Sequence, residues 1–122
     1  MAKPVVISVE DDMGLYELIA LTLRSLPIDL HHATNGTQAV QLITELVPDL
    51  IILDIHLPDF HGWEVLERTE SVVQNVKGVI VLTTHRDPMH RVIGRLKEVT
   101  AYMFKPFRPK ELHDLVVKTL NL

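Results

Sequence analysis

The sequence contains no cysteine among its 122 residues. This absence excludes a disulfide framework, a thiolate metal site and a cysteine nucleophile, and it suits a reducing compartment. The sequence also lacks a membrane-length apolar run, a signal-peptide pattern and a Ser/Gly-rich linker. We therefore expect a cytoplasmic protein that folds as a single domain over residues 1–122 and has no membrane partner.

Negative charge is scarce in the last third of the chain. Residues 1–82 carry 4 basic and 12 acidic side chains, whereas residues 83–122 carry 8 basic and 4 acidic ones. Such a basic surface can attract an acidic partner, but a solvated pair of helices rich in lysine and arginine explains it equally well. No DNA-reading motif accompanies the charge, so we expect no direct binding to nucleic acid.

Short apolar runs alternate with helical patterns along the whole chain. This alternation predicts an α/β fold in which a parallel five-stranded sheet is wound on both sides, (βα) five times. The flavodoxin-like strand order 2-1-3-4-5 fits this pattern. The predicted strands are Val5 to Val9, Asp29 to Ala33, Leu50 to Leu53, Val79 to Leu82 and Ala101 to Phe104.

Apolar residues at a spacing near 3.6 predict the helices between these strands. A third helix is expected to begin near Gly62, a fourth at Asp87-Pro88 with the aspartate as cap, and a fifth at Pro109. The predicted buried faces are Leu15, Leu18, Ile19, Thr22 and Leu26 in the first helix, Ala39, Val40, Ile43 and Val47 in the second, Trp63, Val65 and Leu66 in the third, and Leu112, Leu115, Val116 and Leu120 in the last.

Acidic residues follow the first and third predicted strands. Glu10, Asp11 and Asp12 close the first strand, and Asp54 directly follows the third. In a sheet of this order ligands bind beyond the carboxyl ends of these two strands, so we expect Glu10, Asp11 and Asp54 to meet. Clustered carboxylates without cysteine favour Mg²⁺ over zinc. Asp12 directly precedes the helical pattern and fits a helix cap.

A lysine and a threonine end two further strands at the same edge. Lys105 follows the fifth strand and Thr83 the fourth. The three acids are balanced only by Lys105 together with a divalent ion, so without metal at least one of them should titrate upward. An aspartate beside metal and lysine can attack a phosphoryl donor to form an acyl phosphate, and the Thr83 hydroxyl can donate a hydrogen bond to a phosphoryl oxygen.

Four motifs in this order resemble the receiver domain of two-component response regulators, and the resemblance spans essentially the whole chain. The separations agree with the usual ones of that family: 43 residues from Asp11 to Asp54, 29 from Asp54 to Thr83 and 22 from Thr83 to Lys105. The motifs are Val9-Glu10-Asp11-Asp12, Leu53-Asp54-Ile55-His56-Leu57-Pro58 with Gly62, Leu82-Thr83-Thr84, and Tyr102-Met103-Phe104-Lys105-Pro106-Phe107.

The resemblance implies a role for each matching residue. Asp54 would be the phosphoacceptor, and Lys105, through a cis bond to Pro106, would contact the phosphoryl group. Thr83 would be the switch hydroxyl and Tyr102 the switch aromatic. The ligands implied for Mg²⁺ are Glu10, Asp11, Asp54 and the backbone carbonyl of His56.

Some residues depart from the commonest pattern of the family. His61 stands where an acidic residue often precedes the glycine, and Glu98-Val99 replaces the usual Gly-Ala, which puts the geometry of that loop in doubt. Thr84 stands where a small residue is usual and would tighten the phosphoryl pocket.

Two histidines occupy positions that affect the phosphoryl lifetime in receivers. His56 and His85 lie two residues beyond Asp54 and Thr83, and we expect them, with Thr84, to tune hydrolysis. Titration of these imidazoles would make hydrolysis depend on pH between roughly 5.5 and 7.5. Simple solvation of both is the alternative. His31-His32 are expected to lie far from the site.

The resemblance implies a switch rather than an enzyme, phosphorylated by a sensor histidine kinase or a phosphotransfer protein. A downstream protein or a second copy would bind the face of the fourth helix, fifth strand and fifth helix. A metal-dependent phosphohydrolase is disfavoured because His56 stands where a second aspartate would be needed, and a non-signalling binding module is disfavoured because all site residues are present. The face would include Arg91, Arg95, Met103, Lys110 and His113.

Overall fold

Five parallel strands form one sheet in a computed structural model, which describes residues 2–84 and 86–122. The strand order is β2-β1-β3-β4-β5, as predicted. The fourth strand extends one residue further at each end than the sequence pattern predicted, and the other bounds agree. The strands are β1 (Val5–Val9), β2 (Asp29–Ala33), β3 (Leu50–Leu53), β4 (Gly78–Thr83) and β5 (Ala101–Phe104).

Helices connect the strands on both faces of the sheet. The prediction did not separate a short helix that follows the third one, where Thr69 leaves helical geometry with φ −114° and ψ 21°. The predicted fourth and fifth helices are therefore α5 and α6. Across the described part of the chain, no helix has the length and apolar character needed to cross a membrane. The helices are α1 (Met13–Leu23), α2 (Gly36–Leu46), α3 (Gly62–Arg68), α4 (Glu70–Val73), α5 (Pro88–Leu96) and α6 (Pro109–Leu120).

The core lies in two layers, one on each face of the sheet. Alternate residues of a strand point to opposite faces, so Ile51 and Leu53 pack with α2 and α3 while Leu50 and Ile52 pack with α1 and α6. All four residues of β3 are buried. The buried side of α6 consists of Leu112, Val116 and Leu120, with Leu115 packed against it, as predicted.

The predicted buried face of α1 differs from the structure at two residues, and that of α2 at one. Leu26 lies beyond the end of α1 at Leu23, although it packs against the core. Leu18 is 38% exposed, and Leu23, which was not predicted, is buried in its place. The face of α1 that meets the sheet is centred between Ile19 and Leu23, and Leu18 lies on its solvent side. Val47 is 57% exposed because α2 ends before it. Val47 caps this helix with φ 48°, in the left-handed region.

The predicted helix caps are present. The Asp12 carboxylate accepts a hydrogen bond from the Leu15 N–H, and the Asp87 carboxylate accepts one from the Met89 N–H. These side chains replace the backbone acceptors that the first turn of a helix lacks. Asp12 therefore begins α1 and leaves its two acidic neighbours for the site.

The two loops around β5 have special backbone geometry. Glu98, at one of the departures from the family pattern, has φ 56°, so a glutamate adopts the left-handed conformation that glycine reaches more easily. The Lys105-Pro106 bond is cis, as the resemblance implied.

Candidate functional site

Three carboxylates meet at the carboxyl edge of β1 and β3. Val9 pairs with Leu53, so Glu10 and Asp54 leave adjacent strands at the same level. The Asp54 N–H donates to the Val9 carbonyl oxygen over 3.0 Å. Glu10 and Asp54 are 2% and 5% exposed, whereas Asp11 is exposed. Carboxylate oxygens of Glu10, Asp11 and Asp54 lie within 4.8 Å of one another, so the predicted cluster is formed.

Lys105 compensates the two buried carboxylates. Its Nζ lies 2.7 Å from Glu10 Oε1 and 3.0 Å from Asp54 Oδ2. The Lys105 N–H donates to the Thr83 carbonyl oxygen over 2.8 Å, which fixes the start of its side chain at the sheet edge. Burial opposes the charged ammonium, but the hydrogen bonds and charges of Glu10 and Asp54 outweigh it and raise the pKa of Lys105 above its ordinary value.

Glu10 titrates far above the ordinary range of a carboxyl group. Burial is the largest cause, and the hydrogen bond from Lys105 opposes it. The negative charge of Asp54 then adds to burial, and the resulting pKa of Glu10 is about 7. This confirms the expectation that one acid of the cluster titrates upward when no metal is present.

The donor set of the cluster fits Mg²⁺. Carboxylate oxygens are hard ligands, and the three acids carry more negative charge than Lys105 neutralises. The His56 N–H donates to Asp54 Oδ1 over 3.0 Å, which orients that carboxylate toward the loop after β3. The residues present can therefore hold a divalent cation.

The two residues expected to form the switch lie on adjacent strands. Thr83 is the last residue of β4 and is fully buried, and Tyr102 lies on β5 opposite Val81. The Tyr102 hydroxyl is buried and has no hydrogen-bond partner among the described residues. Burial raises the pKa of this phenol, and the Arg91 guanidinium, 5.8 Å from the ring centroid, opposes the shift. Their switch role stays a prediction.

The residues expected to tune hydrolysis lie at the surface where the structure describes them. His56 and Thr84 are both exposed. The His56 ring is 6.2 Å from the His61 ring, measured between centroids. The prediction for His85 concerns a position outside the described residues.

His32 contacts the site, contrary to the sequence-based expectation that it lies far away. Its Nε2 is 2.7 Å from the Glu10 carbonyl oxygen. The His32 ring also stacks on Tyr16 with centroids 3.7 Å apart and planes 2° from parallel. One signal was available in the sequence: His32 lies near the end of β2, the strand beside β1, so it approaches the same sheet edge. His31 points the other way and contacts Asp29.

The loop between β3 and α3 closes tightly beneath Asp54. The Gly62 N–H donates to the Ile55 carbonyl oxygen over 2.8 Å. A Cβ atom at Gly62 would lie 2.6 Å from the Asp54 carbonyl oxygen, closer than real Cβ atoms approach. This contact explains why position 62, in the motif that begins at Leu53, must be glycine.

The expected interaction face has one residue that is wrongly assigned. Arg91, Arg95 and Lys110 are exposed and His113 is half-buried, but Met103 is 8% exposed and packs in the core. Alternation along β5 explains the difference, because Met103 points to the side of the sheet opposite to its neighbours on the strand.

Residues 6–117 match the response regulator receiver domain family. The DNA-binding response regulator MtrA of Mycolicibacterium paratuberculosis is 36% identical over 109 residues, which cover 88% of this chain and 47% of that protein. The chain thus spans about half the length of such relatives.

Two further proteins match over nearly their whole length. Sporulation initiation phosphotransferase F of Bacillus subtilis is 31% identical over 124 residues, covering 100% of this chain and 98% of that protein. The crystal structure of the signal receiver domain of a putative Luxo repressor protein from Vibrio parahaemolyticus superimposes with a TM-score of 0.90 at 31% identity, covering 98% of this chain and 91% of that one. The chain therefore belongs to the receiver-domain family of two-component response regulators.

Proposed function

We propose that this receiver domain is a switch that is phosphorylated on Asp54 by a sensor histidine kinase or a phosphotransfer protein. The observation that carries the proposal is the contact of one partly buried lysine, Lys105, with both Glu10 and Asp54. Asp54 Oδ2 contacts the lysine while Oδ1 accepts the His56 N–H, so the carboxylate is held in one orientation. A carboxylate oriented in this way is suited to in-line attack on a phosphoryl group.

The transfer forms one bond and breaks one bond. An Asp54 carboxylate oxygen attacks the phosphorus of a phosphohistidine, the P–N bond breaks, and the released imidazole keeps the electron pair and takes up a proton. Lys105 neutralises charge on the phosphoryl oxygens, and the Thr83 hydroxyl donates a hydrogen bond to one of them. Mg²⁺, held by Glu10, Asp11, Asp54 and the His56 carbonyl, would supply further neutralisation of those oxygens.

The proposed output is a change of surface. Movement of Thr83 toward the phosphoryl group would leave room for Tyr102 to turn inward, and the unpartnered Tyr102 hydroxyl is consistent with a side chain that changes place. The exposed Arg91 of α5 lies beside this tyrosine, and Arg95 is exposed on the same helix. These charges make the face of α5, β5 and α6 suited to a downstream protein or a second copy.

Further parts of the proposal concern the chain as a whole. We infer that residues 1–122 act as one receiver domain in the cytoplasm, that the domain catalyses only its own phosphorylation and dephosphorylation, and that it does not bind nucleic acid directly. We propose that His56, Thr84 and His85 set the lifetime of the acyl phosphate, as the matching positions do in the receiver-domain family.

The test is intact-mass measurement after incubation with acetyl phosphate and Mg²⁺. The wild-type protein should gain one phosphoryl group as an acyl phosphate that is labile in acid and in base, and Asp54→Asn should gain none. Asp29→Asn is the matched control, since Asp29 is exposed on β2 and should not affect the gain. Equal phosphorylation of wild type and Asp54→Asn would contradict the assignment, and steady turnover of a small phosphate ester abolished by Asp54→Asn would indicate a phosphohydrolase instead.

A further inference from the structure

A carboxylate that the motifs did not single out ties the loop after Asp54 to a different helix. Asp59 Oδ1 accepts the Gly36 N–H over 2.7 Å, and Asp59 Oδ2 accepts the Thr37 N–H over 2.9 Å. The Thr37 hydroxyl also donates to Oδ2, over 2.8 Å. Residues 36 and 37 form the first turn of α2, so one side chain from the β3–α3 loop satisfies its first two N–H groups.

The helix end favours this carboxylate electrostatically as well. The N-terminus of a helix carries a partial positive charge, and the N–H groups there point at the anion. Desolvation opposes the charged form of Asp59, but the hydrogen bonds from Gly36, Thr37 and Phe60 outweigh it and hold the pKa of this carboxyl well below its usual range. Asp59 is therefore an anion throughout the neutral range.

Aromatic packing reinforces the same junction. A Cβ atom at Gly36 would collide with the Phe60 ring, so the ring occupies the space that a side chain at Gly36 would need. The Arg68 guanidinium covers the Phe60 ring at 4.3 Å from its centroid. Asp59 and Phe60 together dock the loop on α2.

The docked loop is also fixed at its base, next to the phosphoacceptor. The His56 N–H donates to Asp54 Oδ1 over 3.0 Å, and the Gly62 N–H closes the loop on the Ile55 carbonyl over 2.8 Å. The His56 carbonyl, a proposed ligand, therefore lies between two anchored points: the base beside Asp54 and the tie at Asp59.

We propose that Asp59 is a positioning residue for the metal site: its tie to α2 holds the loop that carries the His56 carbonyl and so sets the affinity for Mg²⁺. The inference rests on the proposed function, because it assumes that Glu10, Asp11 and Asp54 bind the ion. Asp59 itself does not contact the ion. Groups that orient metal ligands typically change metal affinity by 10–100-fold when they are removed.

Two substitutions at Asp59 give a graded test. Asp59→Asn keeps one acceptor oxygen and places an amide donor opposite Thr37. Asp59→Ala removes all the hydrogen bonds that Asp59 accepts from Gly36 and Thr37. Calorimetric titration with MgCl₂ alone, without a phosphoryl donor, should show weaker binding in the order wild type, Asp59→Asn, Asp59→Ala, with roughly a tenfold loss for alanine. Amide hydrogen exchange over residues 56–61 should accelerate in the same order.

Asn35→Ala is the matched control. The Asn35 side chain caps the same helix by accepting the Gln38 N–H over 2.8 Å, and its hydrogen bond in the described part of the chain is to α2 and not to the loop. Its removal should lower the thermal unfolding temperature as Asp59→Ala does, while leaving the dissociation constant for Mg²⁺ within about twofold, because only helix stability is affected.

The outcomes separate the two proposals. If the wild-type protein binds no Mg²⁺, the proposed Mg²⁺ site is wrong, and the positioning role of Asp59 is wrong as well. If the wild type binds Mg²⁺ and both Asp59 variants bind it equally well, only the positioning role is overturned. Equal weakening by Asn35→Ala and Asp59→Ala would also overturn it, since the effect would then come from helix stability alone.

Discussion

Lys105 Nζ lies 2.7 Å from Oε1 of Glu10, a residue 95 positions earlier in the chain. The same ammonium lies 3.0 Å from Asp54, so one cation serves two buried carboxylates. A buried charge without a partner is strongly destabilising, and a cation shared between two anions leaves one of them poorly compensated. The carboxylate that responds is Glu10, which has its pKa raised to about 7.

This shift makes the stability of the metal-free protein depend on pH. The pKa of Glu10 rises from 4.5 to about 7 on folding, so the folded state binds the proton more tightly. The stabilisation from this proton is fully present below pH 4.5 and is lost as the pH rises through 7. In EDTA, the free energy of unfolding of Glu10→Gln should therefore increase relative to that of the wild type as the pH rises from 4.5. At pH 8 this increase should be on the order of 2 kcal/mol.

Urea unfolding of both proteins at a series of pH values measures this difference. Glu17→Gln is the control, because Glu17 is exposed on α1 and should follow the wild type. A constant difference between Glu10→Gln and the wild type from pH 5 to pH 8 would show that Glu10 does not titrate in this range. Mg²⁺ should stabilise the wild type and not Glu10→Gln.

Val47 offers a way to stabilise the fold without touching the site. Its φ of 48° is costly for a β-branched residue, and glycine is the usual residue at such a helix end. Val47 is largely exposed, so its replacement loses little packing. We expect Val47→Gly to raise the free energy of unfolding by about 1 kcal/mol.

The control for this substitution is a glycine inside the same helix. Glu45→Gly, at an exposed position of α2, should lower the free energy of unfolding by about 1 kcal/mol. Denaturant unfolding of both variants measures whether each substitution raises or lowers the free energy of unfolding. A loss of stability in Val47→Gly would mean that the Val47 side chain contributes more by packing than its backbone conformation costs.

The Tyr102 hydroxyl is buried and has no hydrogen-bond partner among the described residues. A buried polar group without a partner is destabilising, so removing the oxygen should be neutral or favourable. We expect Tyr102→Phe to change the free energy of unfolding of the unphosphorylated protein by between 0 and about +1 kcal/mol. Tyr16→Phe, at the other tyrosine of the chain, is the control for removing a hydroxyl. A loss of more than about 1 kcal/mol in Tyr102→Phe would reveal a hydrogen bond to that oxygen.

The sequence was sufficient for the sheet and for the acid cluster. A short apolar run bounded by turn signals, such as Leu50–Leu53, favours a strand covered on both faces. The strand order then brings Glu10 to Asp54. Helix faces were less certain. Leu18 has the spacing of a buried residue, but a spacing near 3.6 does not fix where the edge of a buried face lies.

Some of the contacts that the sequence did not predict are made between a loop and a distant helix. Asp59 follows Pro58 in what reads as an ordinary turn, and only the conformation of that loop brings its carboxylate to α2. Asn35 caps α2 and Gly36 begins it, but the local sequence does not indicate which distant side chain completes the first turn. Contacts of this kind depend on loop geometry that local patterns do not encode.

His32 and His31 are neighbouring histidines on β2 that make different contacts. His32 holds the Glu10 carbonyl, and the Glu10 N–H donates to the Ala33 carbonyl over 2.9 Å, so β2 fixes the main chain of Glu10 on both sides of the residue. His31 contacts the exposed Asp29, and such surface pairs contribute little. We expect His32→Phe, which keeps an aromatic ring against Tyr16, to lower the free energy of unfolding by about 1 kcal/mol.

The same substitution at the neighbouring position separates the hydrogen bond from a general effect on β2. His31→Phe should change the free energy of unfolding by less than about 0.5 kcal/mol. Because Glu10 is a proposed Mg²⁺ ligand, His32→Phe should also weaken Mg²⁺ binding in calorimetric titration, whereas His31→Phe should not. Equal effects of the two substitutions would mean that the edge strand, and not the contact with Glu10, accounts for the contribution of His32.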